Sequence, residues 1–262
     1  MSLFAMVTLD RVGAALLAHL PWFITGAALV IVHAGVLLAR QPEPASEVPG
    51  ADSKTSYAQL ASPRMIMTCL ALFCLCQPMV MRADLVHRPA WLVWSSAFVV
   101  LVAVDAASTW IPRRLARLCL IELCVALVVG AVAMGERPQA PAPSLPGNEL
   151  PAGWATTLLM IGAGSCLSAV FLSAIFWLIW RTGSGLGFAD VRMATAVGAL
   201  TGSISAEFTM IAIVAAAVMG VVLALVHRLI AAHVIATHAG FFAYAPALWT
   251  GPWAAFLVRL LG

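Results

Sequence analysis

Residues 208–226, FTMIAIVAAAVMGVVLALV, run for 19 positions without a charged side chain or a proline. One helix needs about 20 predominantly apolar residues to cross the hydrocarbon core of a bilayer. This stretch, taken as 207–227, therefore predicts a transmembrane helix. Outward in both directions the pattern repeats, at about 12–39, 64–81, 89–106, 116–134, 154–180, 188–203 and 240–258. The expected fold class is all-α, a polytopic transmembrane helix bundle of about eight spans with the lipid bilayer as its partner. Composition agrees. Of 262 residues, 63% are hydrophobic and 10% charged, against about 25% charged in ordinary soluble domains, and mean hydropathy is +1.00. The net charge of +3 is spread over loops with a single lysine, Lys54. No basic patch argues for a nucleic-acid partner.

The first apolar run follows Arg11 and continues from Val12 to about Leu38 without a small-residue cleavage site, so it is expected to be a retained span rather than a secretory signal. The connectors 40–63 and 135–153 are polar, and the second carries Pro138, Pro141, Pro143, Pro146 and Pro151. Placing the loop after Asp105 in the cytoplasm puts nine of the 14 basic residues on that side and five on the other, a moderate positive-inside bias. Trp91, Trp94, Trp110, Trp154, Trp177, Trp180 and Trp253 lie near proposed span ends and read as an interfacial belt. The six cysteines lie in apolar runs with no Cys-x-x-Cys pair, and the six histidines are scattered without HExxH spacing. The expectation is no metal and no cofactor.

A carboxylate inside a span is costly and marks a functional site by default. Asp105, Glu122, Asp190 and Glu207 lie in or at the edge of spans. Asp105 closes the third span and Asp190 opens the sixth, which puts both at similar depth on one side. The turn Gly183-Ser184-Gly185-Leu186-Gly187 before Asp190 allows close backbone approach. Glu122 is expected to face the same cavity or to pair with Arg117 or Arg181, and Glu207 to be a helix-end residue on the opposite face. Two facing carboxylates that share one proton can hydrolyse a peptide: the ionised partner activates water while the protonated one polarises the carbonyl. As an alternative, Asp105, Glu122 and Asp190 could form a proton or cation relay in a transporter, although no inverted repeat supports it.

Three segments in order carry a family resemblance. Asp105 is followed seven positions later by Pro112, in Ile111-Pro112-Arg113-Arg114-Leu115. The second segment is Gly187-Phe188-Ala189-Asp190-Val191-Arg192-Met193-Ala194, continuing to Gly198 and Gly202. The third is Phe242-Ala243-Tyr244-Ala245-Pro246-Ala247-Leu248. Together they resemble the type IV prepilin peptidases, membrane-embedded aspartyl proteases with a GxGD motif. The resemblance covers roughly 90–260. It implies an N-terminal part, 1–88, and a peptidase core, 89–262, in a bacterial cytoplasmic (inner) membrane with the active site near the cytoplasmic face. By resemblance Asp105 and Asp190 would be the catalytic pair, and Gly187, Ala189, Arg192, Pro112 and Pro246 would shape the site or bind substrate. The implied substrates are prepilins or the pseudopilins of type II secretion.

The chain departs from the family pattern at Ala189, which stands for the second glycine, at Arg192, which stands for lysine, and at Ala243 and Ala245, which stand for proline and glycine. A non-catalytic homologue acting in pilus or secretion assembly is therefore a further alternative. Small residues such as Ala106 and Ala107 are expected to make room beside Ala189. The loop 40–63 lacks the Cys-x-x-Cys segment that many members carry for N-methylation, so the chain resembles a peptidase-only member.

Overall fold

The computed structural model describes residues 3–43, 55–135, 154–183, 186–233 and 243–261. The proline-bearing connector 136–153, the loop section 44–54 with Lys54, the turn residues Ser184 and Gly185, and Phe242 lie outside them. The described residues are helical with no strand: α1 (Leu3–Ile31), continued by a π-helical segment (Val32–Leu37) and a 3-10 turn (Leu38–Arg40), then α2 (Tyr57–Leu60), α3 (Pro63–Arg82), α4 (Arg88–Ser108), α5 (Arg113–Gly135), α6 (Trp154–Arg181), α7 (Phe188–Gly202), α8 (Ala206–His233) and α9 (Ala245–Leu261).

Local chemistry sets several boundaries. Ser62 Oγ accepts the Met65 amide at 3.4 Å, and Pro63 follows it where its missing N–H costs nothing. Ser56 and Gln59 form a capping box on α2. The α4 helix ends where Thr109 turns left-handed at φ 57°, a conformation uncommon for a β-branched residue. Glu207 sits exposed in the first turn of α8, as expected of a helix-end acid.

Among the described residues, six helices are long and apolar enough to cross a bilayer: the stretches Leu17–Arg40, Pro63–Arg82, Arg88–Ser108, Arg113–Ala133, Ala155–Arg181 and Ala206–Val226. The chain is a multi-pass membrane protein on this count. The remaining two expected spans are α7, of 15 residues, and α9, of 17. At 1.5 Å per residue these reach only about 22–26 Å against a core of roughly 30 Å, so the described residues support six of the eight expected spans.

The helices are not equivalent. In the apolar window of α4, 83% of residues are buried, against 17% in α6 and 22% in α8. The latter two turn Leu159, Leu167, Val170, Val214, Val218 and Val221 outward, a surface that suits lipid rather than water. The central helix α4 packs against α1, α3, α5 and α9, and the short α7 lies among α5, α6, α8 and α9. Both expected catalytic aspartates therefore ride on helices enclosed by others.

The aromatic belt needs correction. Trp91, Trp94 and Trp253 are buried at the α4–α9 contact rather than placed at an interface. Trp91 stacks on Trp253 with centroids 4.6 Å apart and meets Phe256 at 5.2 Å. Trp94 Nε1 donates to the Trp249 carbonyl at 3.3 Å, and Trp249 Nε1 donates back to the Trp94 carbonyl at 3.0 Å. Indoles carry an apolar body and one donor, and Trp94 and Trp249 use both here. This reciprocal pair clamps α9 to α4. Trp94→Phe should lower stability by about 1–3 kcal/mol through one lost bond and a smaller ring. Adding Trp249→Phe should cost less than the sum of the single variants. Melting of the detergent-solubilised protein checks both, and strict additivity would mean the two bonds act separately.

Candidate functional site

Asp105 occupies the last turn of α4 and is 3% exposed. Its Oδ2 accepts the backbone N–H of Ala245 at 3.1 Å. Ala245 is the first residue of α9, so its amide has no partner within that helix and is free to point at a carboxylate. The positive end of the α9 dipole points the same way. Pro246, next in line, gives α9 a fixed φ at a position that needs no N–H. The first and third resembling segments thus meet through one hydrogen bond.

Asp190 lies in the first turn of α7 and is 5% exposed. Its Oδ2 accepts the Gly187 amide at 2.9 Å, while the Asp190 amide donates to the Gly187 carbonyl at 3.0 Å. This is the reach-back of an N3 acid onto its helix start. Tyr244, immediately before Ala245, lies near Asp190. Burial first, and the nearby Asp190 charge second, push its phenol above the ordinary range. Its ring packs on Gly220 of α8 and lies 6.3 Å from Phe176 of α6. Residues 244 and 245 therefore touch the surroundings of both aspartates. From the third segment the sequence pointed to Pro246 as a site residue and to Ala245 only as a departure from the family pattern, because a contact made by a backbone amide leaves no signature in side-chain identity.

The other expected site residues divide by position. Pro112 is buried just before α5, and its carbonyl accepts the Ala116 amide at 3.0 Å. A Cβ added to Gly187 would sit 3.7 Å from Asp190 Oδ2, an ordinary contact. The fold itself does not demand glycine there. Ala189 and Arg192 line a cavity of about 200 Å³ between α4, α5 and α7, opposite Phe98, Leu101, Ile111 and Arg117. Ala106 and Ala107 are exposed instead, so the room beside Ala189 is shaped by the larger Phe98 and Leu101. Arg192 also stacks its guanidinium 4.9 Å from the Phe188 ring.

Near that end of α4, the Tyr57 amide donates to Glu43 Oε1 at 2.7 Å and its hydroxyl to the Trp110 carbonyl at 3.5 Å. Burial, then Glu43, raises the Tyr57 phenol to about 12. The neutral phenol ties the first connector to the turn that follows Asp105.

Glu122 departs from its expected role. It contacts His33, with Oε2 3.0 Å from Nε2, and is absent from the cavity that Arg117 lines. Five residues separate Glu122 from Arg117, about 140° around a helix of 3.6 residues per turn, so the two face different neighbours. Cys119, one turn before Glu122, joins them: its sulfur, the His33 nitrogen and the Glu122 oxygen lie within 4.8 Å of one another. The i, i+3 spacing of Cys119 and Glu122 was visible in the sequence; the third member, on a distant helix, was not.

Comparison with protein-family models, with curated proteins and with solved structures finds no match to this chain.

Proposed function

We propose that this chain is a membrane-embedded aspartyl endopeptidase that removes the short leader peptide from type IV prepilins or type II secretion pseudopilins. The observation that carries the reading is the Ala245 amide on Asp105 Oδ2. It joins the first and third of the segments that resemble prepilin peptidases, while Tyr244 beside it lies near Asp190 of the second. Asp105 and Asp190 act as the acid–base pair. One carboxylate takes a proton from the attacking water while the other donates its proton to the carbonyl oxygen; the first then passes the water's proton to the leaving amine as the hydrated carbonyl returns a proton to the second. The amides of Ala245 and Gly187 each donate to one oxygen of a carboxylate and so orient the two acids. The chemistry takes place near the cytoplasmic face of a bacterial inner membrane, where a basic leader would lie.

Purified protein in detergent, incubated with a panel of prepilins and followed by mass spectrometry of the products, tests the reading. Cleavage at the leader junction is the expected result. Intact substrate throughout, from a protein that is folded, would leave the non-catalytic assembly homologue as the better account.

Ala189 gives a finer test. Ala189 lines the cavity beside Arg192 and Met193. Ala189→Gly should leave the protein folded and change the cleavage rate within about tenfold, on the order of 1.4 kcal/mol of barrier. Complete loss of cleavage with the fold intact would contradict this role.

A further inference from the structure

We propose that His33, Cys119 and Glu122 form a binding site for one divalent transition-metal cation of the zinc class, separate from the aspartates. His33 is 1% exposed, and its Nδ1 lies 2.8 Å from the Leu29 carbonyl oxygen. A carbonyl only accepts, so Nδ1 carries the proton and Nε2 presents a bare lone pair. That lone pair points toward Glu122 Oε2 at 3.0 Å, yet neither atom has a hydrogen bond of acceptable geometry. Two acceptors at this distance need a positive charge between them, either a proton or a metal ion.

The third group favours a metal. Cys119 Sγ lies within 4.8 Å of both atoms and is fully buried, with the Ala97 carbonyl as its contact at 3.8 Å. Tetrahedral zinc, with bonds of about 2.0–2.3 Å, sets ligand atoms about 3.3–3.6 Å apart. The sulfur would need to close by about 1 Å, within reach of a side-chain rotation. The Nδ1–H bond to a main-chain carbonyl is the outer contact that commonly orients a metal-binding imidazole. Charge agrees as well: one thiolate and one carboxylate neutralise a divalent ion, as a low-dielectric interior requires. Binding of M²⁺ would release the Cys119 thiol proton and any proton shared between His33 and Glu122. His33 also lies in the π-helical segment Val32–Leu37, whose His33 carbonyl accepts the Leu38 amide. Such widened turns occur mostly at functional sites. Three protein ligands leave a fourth position open to water. The site stands apart from the proposed hydrolysis, since Ala97, against Cys119, is about 12 Å along α4 from Asp105.

Cobalt(II) provides the test, because a thiolate ligand gives it a near-ultraviolet charge-transfer band. The wild-type protein, stripped with a chelator and titrated in detergent, should take up one cobalt per chain with that band, and zinc should displace it. Cys119→Ser should lose the band. Glu122→Gln and His33→Ala should weaken binding at least about a hundredfold. Size exclusion and melting establish that each variant is folded. A wild-type protein that shows no thiolate band at stoichiometric cobalt, as a proton-bridged pair would, overturns the proposal. So does a band that persists in folded Cys119→Ser, which would place the metal on another cysteine.

Discussion

Asp105→Asn and Asp190→Asn should each reduce prepilin cleavage at least about a thousandfold, on the order of 4 kcal/mol of barrier, while the protein still accumulates and melts normally. The contrast matters because both acids also have a structural use. Asp105 accepts the first amide of α9, and Asp190 accepts the amide of Gly187. Asparagine keeps an amide oxygen that can accept either bond, so the local fold survives, but it cannot take or give a proton at neutral pH. If the two acids were only helix-end acceptors buried by packing, asparagine would serve as well. Retained cleavage in either folded variant would therefore remove the acid–base pair from the mechanism. Glu122→Gln, at the His33 contact, should leave most of the cleavage in place.

The helical framework was legible because the bilayer imposes it: a run such as 208–226 has few alternatives to a helix. The positions of Asp105 at the end of α4 and Asp190 at the start of α7 follow from the same runs. What could not be read was which helix faces which neighbour. Trp91, Trp94 and Trp253 sit near the ends of apolar runs, the pattern of an interfacial belt, but they are consumed in the α4–α9 contact. In lipid both the outer face and the packed face are apolar, so periodicity loses the contrast it has in water. The Ala245 contact with Asp105 is made by backbone, and the His33 contact with Glu122 joins segments 89 positions apart. Neither leaves a spacing to recognise. The described residues support six spans of the eight expected, for a related reason. Hydropathy alone cannot separate an apolar helix that crosses the bilayer from one, like α7, that is apolar because other helices enclose it.

That enclosure leads to the second large effect: Gly198→Leu should destabilise the protein by at least about 3 kcal/mol and remove cleavage with it. Gly198 and Gly202 stand four residues apart on α7, the spacing that lets two helices touch backbone to backbone. A Cβ added at Gly198 would fall 2.5 Å from the Ser168 carbonyl oxygen and 2.7 Å from the main chain of Ala169. At Gly202 it would meet the Gly164 carbonyl, and at Gly164 the Gly202 carbonyl. These neighbours are main chain, which cannot rotate aside, so α6 and α7 would have to separate. Separation is costly for α7 in particular. Its 15 residues are too short to cross the hydrocarbon core alone, and its position depends on α6 and its other neighbours. Displacing it moves Asp190, in its first turn, away from Tyr244. Gly162 supplies the internal control. It lies two residues before Gly164 on the same helix, yet an added Cβ there meets nothing within 4 Å. Gly162→Leu should therefore shift stability by no more than about 0.5 kcal/mol. Parallel melting and cleavage assays of the two variants decide the matter, and equal behaviour of Gly198→Leu and Gly162→Leu would show that the α6–α7 contact does not hold Asp190 in place.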